Sequence, residues 1–340
     1  MGMMALLGFE GRDLARDQII ATLNTPTYNT DVPGDSESSR SLLGQLFTQS
    51  EIRYPWKSGD GSTFNTPSGT VYWFGWRWKR TFNNTNNDVV RVGTEYNGTE
   101  GISVSLEDNT LKLTIRANGS VVATASIAAL TLSAWARLSV KVDHQVGGLV
   151  SVYFAGDHDT PVVEYTLTAP DVPASKPNGF QVRMDSDYID DMWAMDPADG
   201  TGTVNPALLL QASIKGQVFT GDGNYTAWTG TYADIDELPA SDADDIDVAA
   251  IDQRSSFTHP VIAVTTVLAV KVNARVTRTG TDAGAQIEVF AREGGADLDL
   301  GIQAAPGDGD ITALMQTDRA GATWSATKYD ATEFGVVSRT

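Results

Sequence analysis

The sequence has no cysteine, three histidines, and only 24 Lys and Arg against 43 Asp and Glu in 340 residues. Without thiols it can hold no disulfide framework, zinc knuckle or iron–sulfur cluster, and His144, His158 and His259 are too scattered for a His-rich metal site. The shortage of base leaves a formal charge of −19. That is the wrong sign for wrapping nucleic acid, a process that runs on Lys and Arg neutralising phosphates, and anionic membrane surfaces are disfavoured for the same reason. No apolar run approaches the roughly 20 residues that span a bilayer, so membrane insertion is not expected. The opening Met1-Gly-Met-Met-Ala-Leu-Leu-Gly-Phe9 lacks the basic flank and small-residue cleavage site of a leader. Also missing are a Gly-x-Ser-x-Gly nucleophile elbow and a phosphate-cradling glycine motif between a strand and a helix.

What is present is enough apolar material, 41% of the chain, for packed cores over a length that suggests two domains. The charge is unevenly placed. Residues 1–183 hold 18 acids and 15 bases, residues 184–252 hold 15 acids and one base, and residues 253–340 hold 10 acids and 8 bases. The acidic stretch also carries Gly200, Gly202, Asn205-Pro206, Gly221-Asp-Gly-Asn224 and Leu238-Pro-Ala-Ser-Asp-Ala-Asp-Asp245, a density of turn residues that marks a junction. This predicts a first domain over 1–200, an acidic, loop-rich connecting segment over 201–255 and a small C-terminal β domain over 256–340.

The dominant period is two. Tyr72, Phe74, Trp76 and Trp78 alternate with Trp73, Gly75, Arg77 and Lys79; Leu111, Leu113 and Ile115 alternate with Lys112, Thr114 and Arg116. Leu138, Val140 and Val142, then Val150, Val152 and Phe154, repeat the pattern, which reads as half-buried strands. Ala117-Asn-Gly-Ser120 and Val146-Gly-Gly148 fall between runs and supply the positive-φ positions of tight hairpins. Many short strands at regular spacing predict an antiparallel sandwich. Further on, Leu268 to Val276 alternates cleanly and Gln286-Ile-Glu-Val-Phe290 continues it, a pair read as a hairpin of the second domain. Two stretches suggest helix, Asp13 to Leu23, which reads equally as a strand, and Asn205 to Leu210.

Trp135-Ala-Arg-Leu-Ser-Val-Lys-Val-Asp143, a glycine turn, and Val150-Ser-Val-Tyr-Phe-Ala-Gly156 together resemble the paired strands of the laminin-G-like, concanavalin-A-like jelly roll, in which a Trp opens one strand and an aromatic followed by Gly closes the next. Tyr188-Ile-Asp-Asp-Met-Trp193 is similar to that family's closing strand, and Phe9-Glu10-Gly11 to its opening one. The resemblance covers roughly 1–197. After it, Val204-Asn-Pro, Gly221-Asp-Gly-Asn-Tyr-Thr-Ala-Trp228, Ile235-Asp-Glu-Leu-Pro239, Gln253-Arg-Ser-Ser-Phe257 and the final Ala322 to Gly335 follow one another as in the region behind the jelly roll in virion proteins of tailed bacteriophages. The resemblance implies an all-β jelly-roll sandwich followed by a smaller β domain, in a non-enzymatic structural protein of a phage tail, fibre or capsid surface. It would be made in the host bacterial cytoplasm, carried in the virion, and assembled with other virion proteins and with copies of itself.

Three sets of residues invite a sharper reading. Stacked Trp faces suit the apolar side of a pyranose, so Trp73, Trp76 and Trp78 are candidate contacts to a host surface polysaccharide or to a neighbouring subunit; aromatics at period two are first of all a sandwich core. This carbohydrate-binding reading is the alternative to the structural one. Asp185, Asp187, Asp190 and Asp191 offer oxygens for Ca²⁺, which laminin-G-like domains sometimes bind, although Tyr188 and Ile189 interrupt the set that Ca²⁺ would need in one tight loop. Solvated strand-end carboxylates are the competing account, as they are for Asp242, Asp244, Asp245 and Asp247. Glu95 and Glu100 are the nearest approach to a glycosidase pair, but Asn-Gly turn chemistry breaks their spacing and no cofactor or catalytic residue is expected.

Overall fold

The computed structural model describes residues 2–7, 20–23, 27–29, 41–43, 50–55, 66–79, 90–96, 99–107, 112–127, 135–154, 160–184, 188–197, 216–236, 244–264, 266–278, 284–305 and 308–339, with backbone alone up to residue 55. These fall into two compact units, one before residue 216 and one from Gly216 onward. In the first unit the strands are β1 (Gly2–Leu7), β2 (Ile20–Leu23), β3 (Thr27–Asn29), β4 (Ser41–Leu43), β5 (Ser50–Pro55), β6 (Val71–Lys79), β7 (Val90–Tyr96), β8 (Thr99–Glu107), β9 (Lys112–Ala117), β10 (Ser120–Ser126), β11 (Trp135–Asp143), β12 (Leu149–Phe154), β13 (Val163–Thr166), β14 (Gly179–Met184) and β15 (Tyr188–Asp196).

They form two antiparallel sheets. One runs β13-β12-β11-β6-β15-β4-β3, with β1 also on β15, and the other runs β10-β9-β8-β7-β14-β5-β2. Tyr72, Phe74, Trp76 and Trp78 of the first sheet share one buried cluster with Val92, Ile102, Val104, Leu113, Ile115, Phe180 and Val182 of the second, so the two sheets meet face to face in a jelly-roll sandwich. Phe74 stacks on Trp76 at 6.1 Å between ring centres and meets Phe180 across the core at 6.3 Å. Full burial of each large side chain contributes about 1.5–3 kcal/mol, which makes β6, with four such rings, the spine of the core. One polar group enters with them. The Tyr72 hydroxyl lies 3.4 Å from Thr94 Oγ1, which also donates to the Ile102 carbonyl and accepts the Ile102 N–H, both at 3.2 Å, and burial pushes the Tyr72 hydroxyl pKa up.

The local turn chemistry is the expected one. Asn118 and Gly119 both take positive φ (49° and 79°) and join β9 to β10 as a two-residue hairpin loop. The strand that a Trp opens is β11, and β15 pairs with both β1 and β6 as the closing strand. Ile20–Leu23 is a strand, which decides between the two readings of residues 13–23 in that part; residues 9–11 and 205–210 lie outside the described residues.

The second unit comprises β16 (Gly221–Thr226), β17 (Arg254–Thr258), β18 (Val270–Thr277), β19 (Gln286–Glu293), β20 (Ala296–Ala304), β21 (Asp308–Met315), the short helix α1 (Ala326–Asp330) and β22 (Glu333–Ser338). A five-stranded sheet runs β16-β17-β22-β19-β20 and a two-stranded one pairs β18 with β21. Two expectations change here. Residues 221–226, read from their turn residues as part of a connecting segment, form a strand on β17. And β18 does not form a hairpin with β19. Gly294 and Gly295, both at positive φ, fold β19 directly back into β20, while β22 takes the other edge of β19, so β18 is left to pair with β21. Its alternation still does what the pattern predicts: Val272, Ala274 and Val276 pack on Ile287, Val289, Ile311 and Ala313.

Candidate functional site

The aromatic strand does not form an exposed platform. Trp76 and Trp78 are 3% and 1% exposed and belong to the core between the sheets, so they contact neither a glycan nor a neighbour at the surface. Trp73 points to the opposite face of β6 yet is only 8% exposed. Its ring stacks on Tyr153 at 5.5 Å, and the Lys141 ammonium stands 5.6 Å from it. The second face of β6 is thus covered as well, because the neighbouring strands supply a flat aromatic and a long cationic stem that shield it.

The Asp-Asp step of β15 is likewise inward. Pairing with β6 slips between Asp190 and Trp193, and Asp191 sits at φ +48°, the left-handed region that non-glycine residues rarely enter. The bulge turns the Asp191 carboxylate onto Arg77, with Nε to Oδ2 at 2.8 Å and both side chains almost wholly buried, while Asp190 Oδ1 accepts the Asp191 N–H at 2.8 Å. A carboxylate held by a guanidinium inside the fold does not fit a Ca²⁺ ligand. Asp185 and Asp187 lie outside the described residues, and among those described no group of three His, Asp or Glu could hold a metal. Of the Asp-rich loop, Asp244, Asp245 and Asp247 are described, and all three are exposed.

The most distinctive polar face is one that the aromatic and acidic motifs do not mark. On the seven-stranded sheet the core-facing residues of β14, β7, β8 and β9 include Phe180, Val182, Val92, Ile102, Val104, Leu113 and Ile115 with Thr94 as a polar exception, and the residues of the opposite face between them are polar or glycine. Register aligns these into two rows across four strands, Gln181, Gly93, Ser103, Arg116 and Arg183, Arg91, Ser105, Thr114. On β5, register continues the rows with Arg53 and Glu51. A sheet face in open water would be solvated, but Ser103, Ser105, Thr114, Gln181 and Arg91 are buried, and Arg116 and Arg183 half-buried. The Arg116 guanidinium extends over the row, with Nε 3.4 Å from Ser105 Oγ and Nη1 3.3 Å from the Gly119 carbonyl. Gly93 keeps the floor low, since a Cβ there would lie 2.3 Å from Ser103 Cβ. Thr114 Oγ1 makes no hydrogen bond among the described residues. The result is a floor of small hydroxyl and glycine positions bordered by planar Arg and Gln groups, which suits neutral polyol recognition through paired hydrogen bonds. Among the described residues it brings together no nucleophile and base. Glu95 and Glu100 face each other across β7 and β8 as a directly paired position, and nothing is described of their side chains.

The second unit carries a denser charge cluster. Arg254 holds Asp299 through both guanidinium nitrogens (2.9 and 3.2 Å), Arg339 reaches Asp299, Glu288 and Asp252, and Arg292 bonds Asp297 at 2.7 Å and the Tyr225 hydroxyl at 3.0 Å. The hydrogen bonds from Arg254 hold the Asp299 carboxyl below its ordinary range. Beneath them Arg254 covers the ring of Phe290 at 4.8 Å. Each cation here is matched to acids, so the cluster closes the sheet rather than opening a site.

No protein-family model and no curated protein matches the sequence. Among solved structures, the chain is similar to the globular domain of T. cruzi calreticulin, at 7% identity and TM-score 0.39 over 57% of this chain and 88% of that one. It is also similar to lectin II from Ulex europaeus, at 9% and 0.37 over 57% and 99%, and to a carbohydrate esterase from Shiga toxin-encoding bacteriophage phi24B, at 11% and 0.36 over 56% and 98%.

Proposed function

We propose that the first unit is a non-enzymatic carbohydrate-binding module whose binding face is the outer side of the seven-stranded sheet. The observation that carries this reading is the pair of polar rows over β14, β7, β8 and β9, which sets Arg, Gln and Ser side chains in register on one face of the sheet. A polysaccharide presents hydroxyl pairs at the spacing that Arg and Gln side chains hold in a plane. The test is glycan-array binding of the full-length protein followed by calorimetry on the best ligand. Gln181→Ala and Arg91→Ala are each expected to weaken binding about tenfold or more, in keeping with the loss of a hydrogen bond to a charged or planar group of about 1.5–3 kcal/mol. Absence of binding to bacterial surface polysaccharides, or binding indifferent to both substitutions in folded protein, would reject the assignment.

A second reading concerns where the module works. The order of segments after Tyr188-Ile-Asp-Asp-Met-Trp193 supports placing the chain in a tailed-phage particle, as a tail, fibre or capsid-surface component made in the host cytoplasm and built in through contacts with other virion proteins. Peptide mass spectrometry of purified particles tests it: the chain is expected in the particle at a fixed stoichiometry, and its absence there rules the placement out.

A further inference from the structure

Outside the arginine network, the second unit sets a lysine between two carboxylates. After β21, Thr317 and Thr323 pair across a tight turn in which the Asp318 N–H meets the Ala322 carbonyl at 2.8 Å and Gly321 takes φ +78°. The Asp318 side chain is wholly buried, and its Oδ1 accepts the Ala322 N–H at 2.8 Å. Ser325 caps α1 by accepting the Lys328 N–H at 3.2 Å, which fixes the position of Lys328 in the first turn. From there Lys328 Nζ donates to Asp318 Oδ2 and stands 3.3 Å from Oε1 of Glu293, the last residue of β19. Glu293 Oε2 is held in turn by the Arg319 N–H at 3.0 Å. An amine, a buried carboxyl whose far oxygen rests on a backbone N–H, and a second carboxylate touching the amine are the parts of an acyl transfer. They supply a nucleophile, an electrophile with an oxyanion donor, and a proton carrier.

We propose that Lys328 and Asp318 condense into an amide, an intramolecular cross-link that the folded chain forms by itself with Glu293 carrying the protons. Burial pushes the Asp318 carboxyl up, but the hydrogen bonds from Lys328 and Ala322 outweigh it and hold the group below its ordinary range, while Asp318 and Glu293 hold the Lys328 ammonium above its own. The resting pair is therefore ionic, and the reaction has to move protons before it can make a bond. The ammonium gives one proton, through Glu293, to Asp318 Oδ2, which leaves an amine facing a carboxylic acid. Nζ attacks Cγ, and negative charge gathers on Oδ1, where the Ala322 N–H receives it. The nitrogen then gives a second proton to Glu293, which passes it to the departing hydroxyl. The Nζ–Cγ bond forms, the Cγ–Oδ2 bond breaks, one water leaves, and no oxidant or external reactant is consumed. Two effects drive the step. Positioning stands in for an effective concentration of roughly 10⁵ M or more, and the amide replaces a carboxylate whose charge is costly to keep buried. Water escapes on the lysine side, where the side chain is 40% exposed. The bond closes a ring from 318 to 328 and ties the turn after β21 to the helix that leads into β22, the strand between β17 and β19.

The experiment is mass spectrometry of the full-length protein under denaturing conditions, where an ion pair falls apart and an amide does not. The expected mass is that of the sequence less one water. Trypsin places the bond: with Lys328 acylated the cut after it is lost, so 320–339 stays whole and is recovered joined to 293–319. Lys328→Arg keeps the charge but not the nucleophile and is expected at full sequence mass. Glu293→Gln keeps both reacting groups and is expected to cross-link about 100-fold more slowly or worse, the loss of a positioned proton carrier. Full sequence mass in the folded wild type overturns the proposal. So does a lost water that traces to a ring-closed Asp-Gly step such as Asp222-Gly223 while trypsin still cuts after Lys328, or cross-linking of Glu293→Gln at the wild-type rate. Should either variant fail to fold, the wild-type peptide map decides alone: the branched peptide supports the bond, and separate 293–319, 320–328 and 329–339 peptides overturn it.

Discussion

At the scale of single residues, the first unit is held by a small number of polar groups placed where a hydrophobe would be simpler. The Arg77–Asp191 pair is the clearest. Both groups are nearly sealed from solvent, and Asp191 accepts a left-handed backbone to reach its partner. Removing one member of a buried pair strands the other, at a cost of about 3–5 kcal/mol. Arg77→Met is therefore expected to lower the free energy of unfolding by about that much, read from the urea midpoint at constant slope, and adding Asp191→Asn to recover part of the loss. His144 is a second such residue. Burial holds its pKa below the ordinary 6.5, outweighing the 2.9 Å contact of Nε2 with the Pro173 carbonyl. The sequence shows that these residues exist but not that they are buried. Ile189 and Met192 announce an inward strand, whereas nothing in Asp-Asp distinguishes a solvated pair from one turned inward by a bulge.

At the scale of elements, period two and turn residues carry most of the architecture. The alternation in 72–78, 111–116, 137–142 and 150–154 places β6, β9, β11 and β12, and Asn118-Gly119 places the hairpin between β9 and β10. What periodicity does not encode is which strand pairs with which. β18 and β19 alternate equally well, and the Gly294-Gly295 turn that sends β19 into β20 is the signal that assigns partners. It is also why the polar rows are hard to see in sequence. Gly93, Arg91, Ser103, Ser105, Thr114, Arg116, Gln181 and Arg183 are ordinary outward positions until four strands are laid in register. Two glycines of the second unit test the distinction between backbone and packing requirements. Gly295 needs φ +83° but has nothing within 4 Å of a would-be Cβ, so Gly295→Ala is expected to cost only the conformational penalty of about 1–2 kcal/mol. At Gly335 a Cβ would lie 2.2 Å from the Ser255 carbonyl and 2.7 Å from the Phe290 ring. Gly335→Ala must push β17 or Phe290 aside, and is expected to cost about 3 kcal/mol or more. Thermal unfolding of the two variants, compared at one pH, checks the order.

At the scale of the molecule, charge and acid response divide between the units. The acidic excess lies in 184–252, yet two groups that couple protonation to folding lie elsewhere, His144 in the first unit and Asp299 in the second. Both have a folded pKa below the unfolded one, so in both cases the unfolded chain binds more protons and stability falls as pH falls. The windows differ. For His144 the stabilisation is complete above 6.5 and is lost as pH drops from there through the lower folded value. For Asp299, held by Arg254 and Arg339, it is complete above 3.8 and is lost only below that. Acidification is therefore expected to weaken the sandwich first and the Arg254–Asp299 cluster last. Hydrogen exchange corrected for intrinsic rates checks this, comparing peptides of β6 and β11 with peptides of β17 and β19 from pH 7 downward. His144→Gln should flatten the response of the first set as pH falls below 6.5 while leaving the second set unchanged, because a neutral side chain has no proton to gain there. Equal loss of protection in both sets at the same pH, with and without His144, would show that acid acts through the summed carboxylates of 184–252 instead.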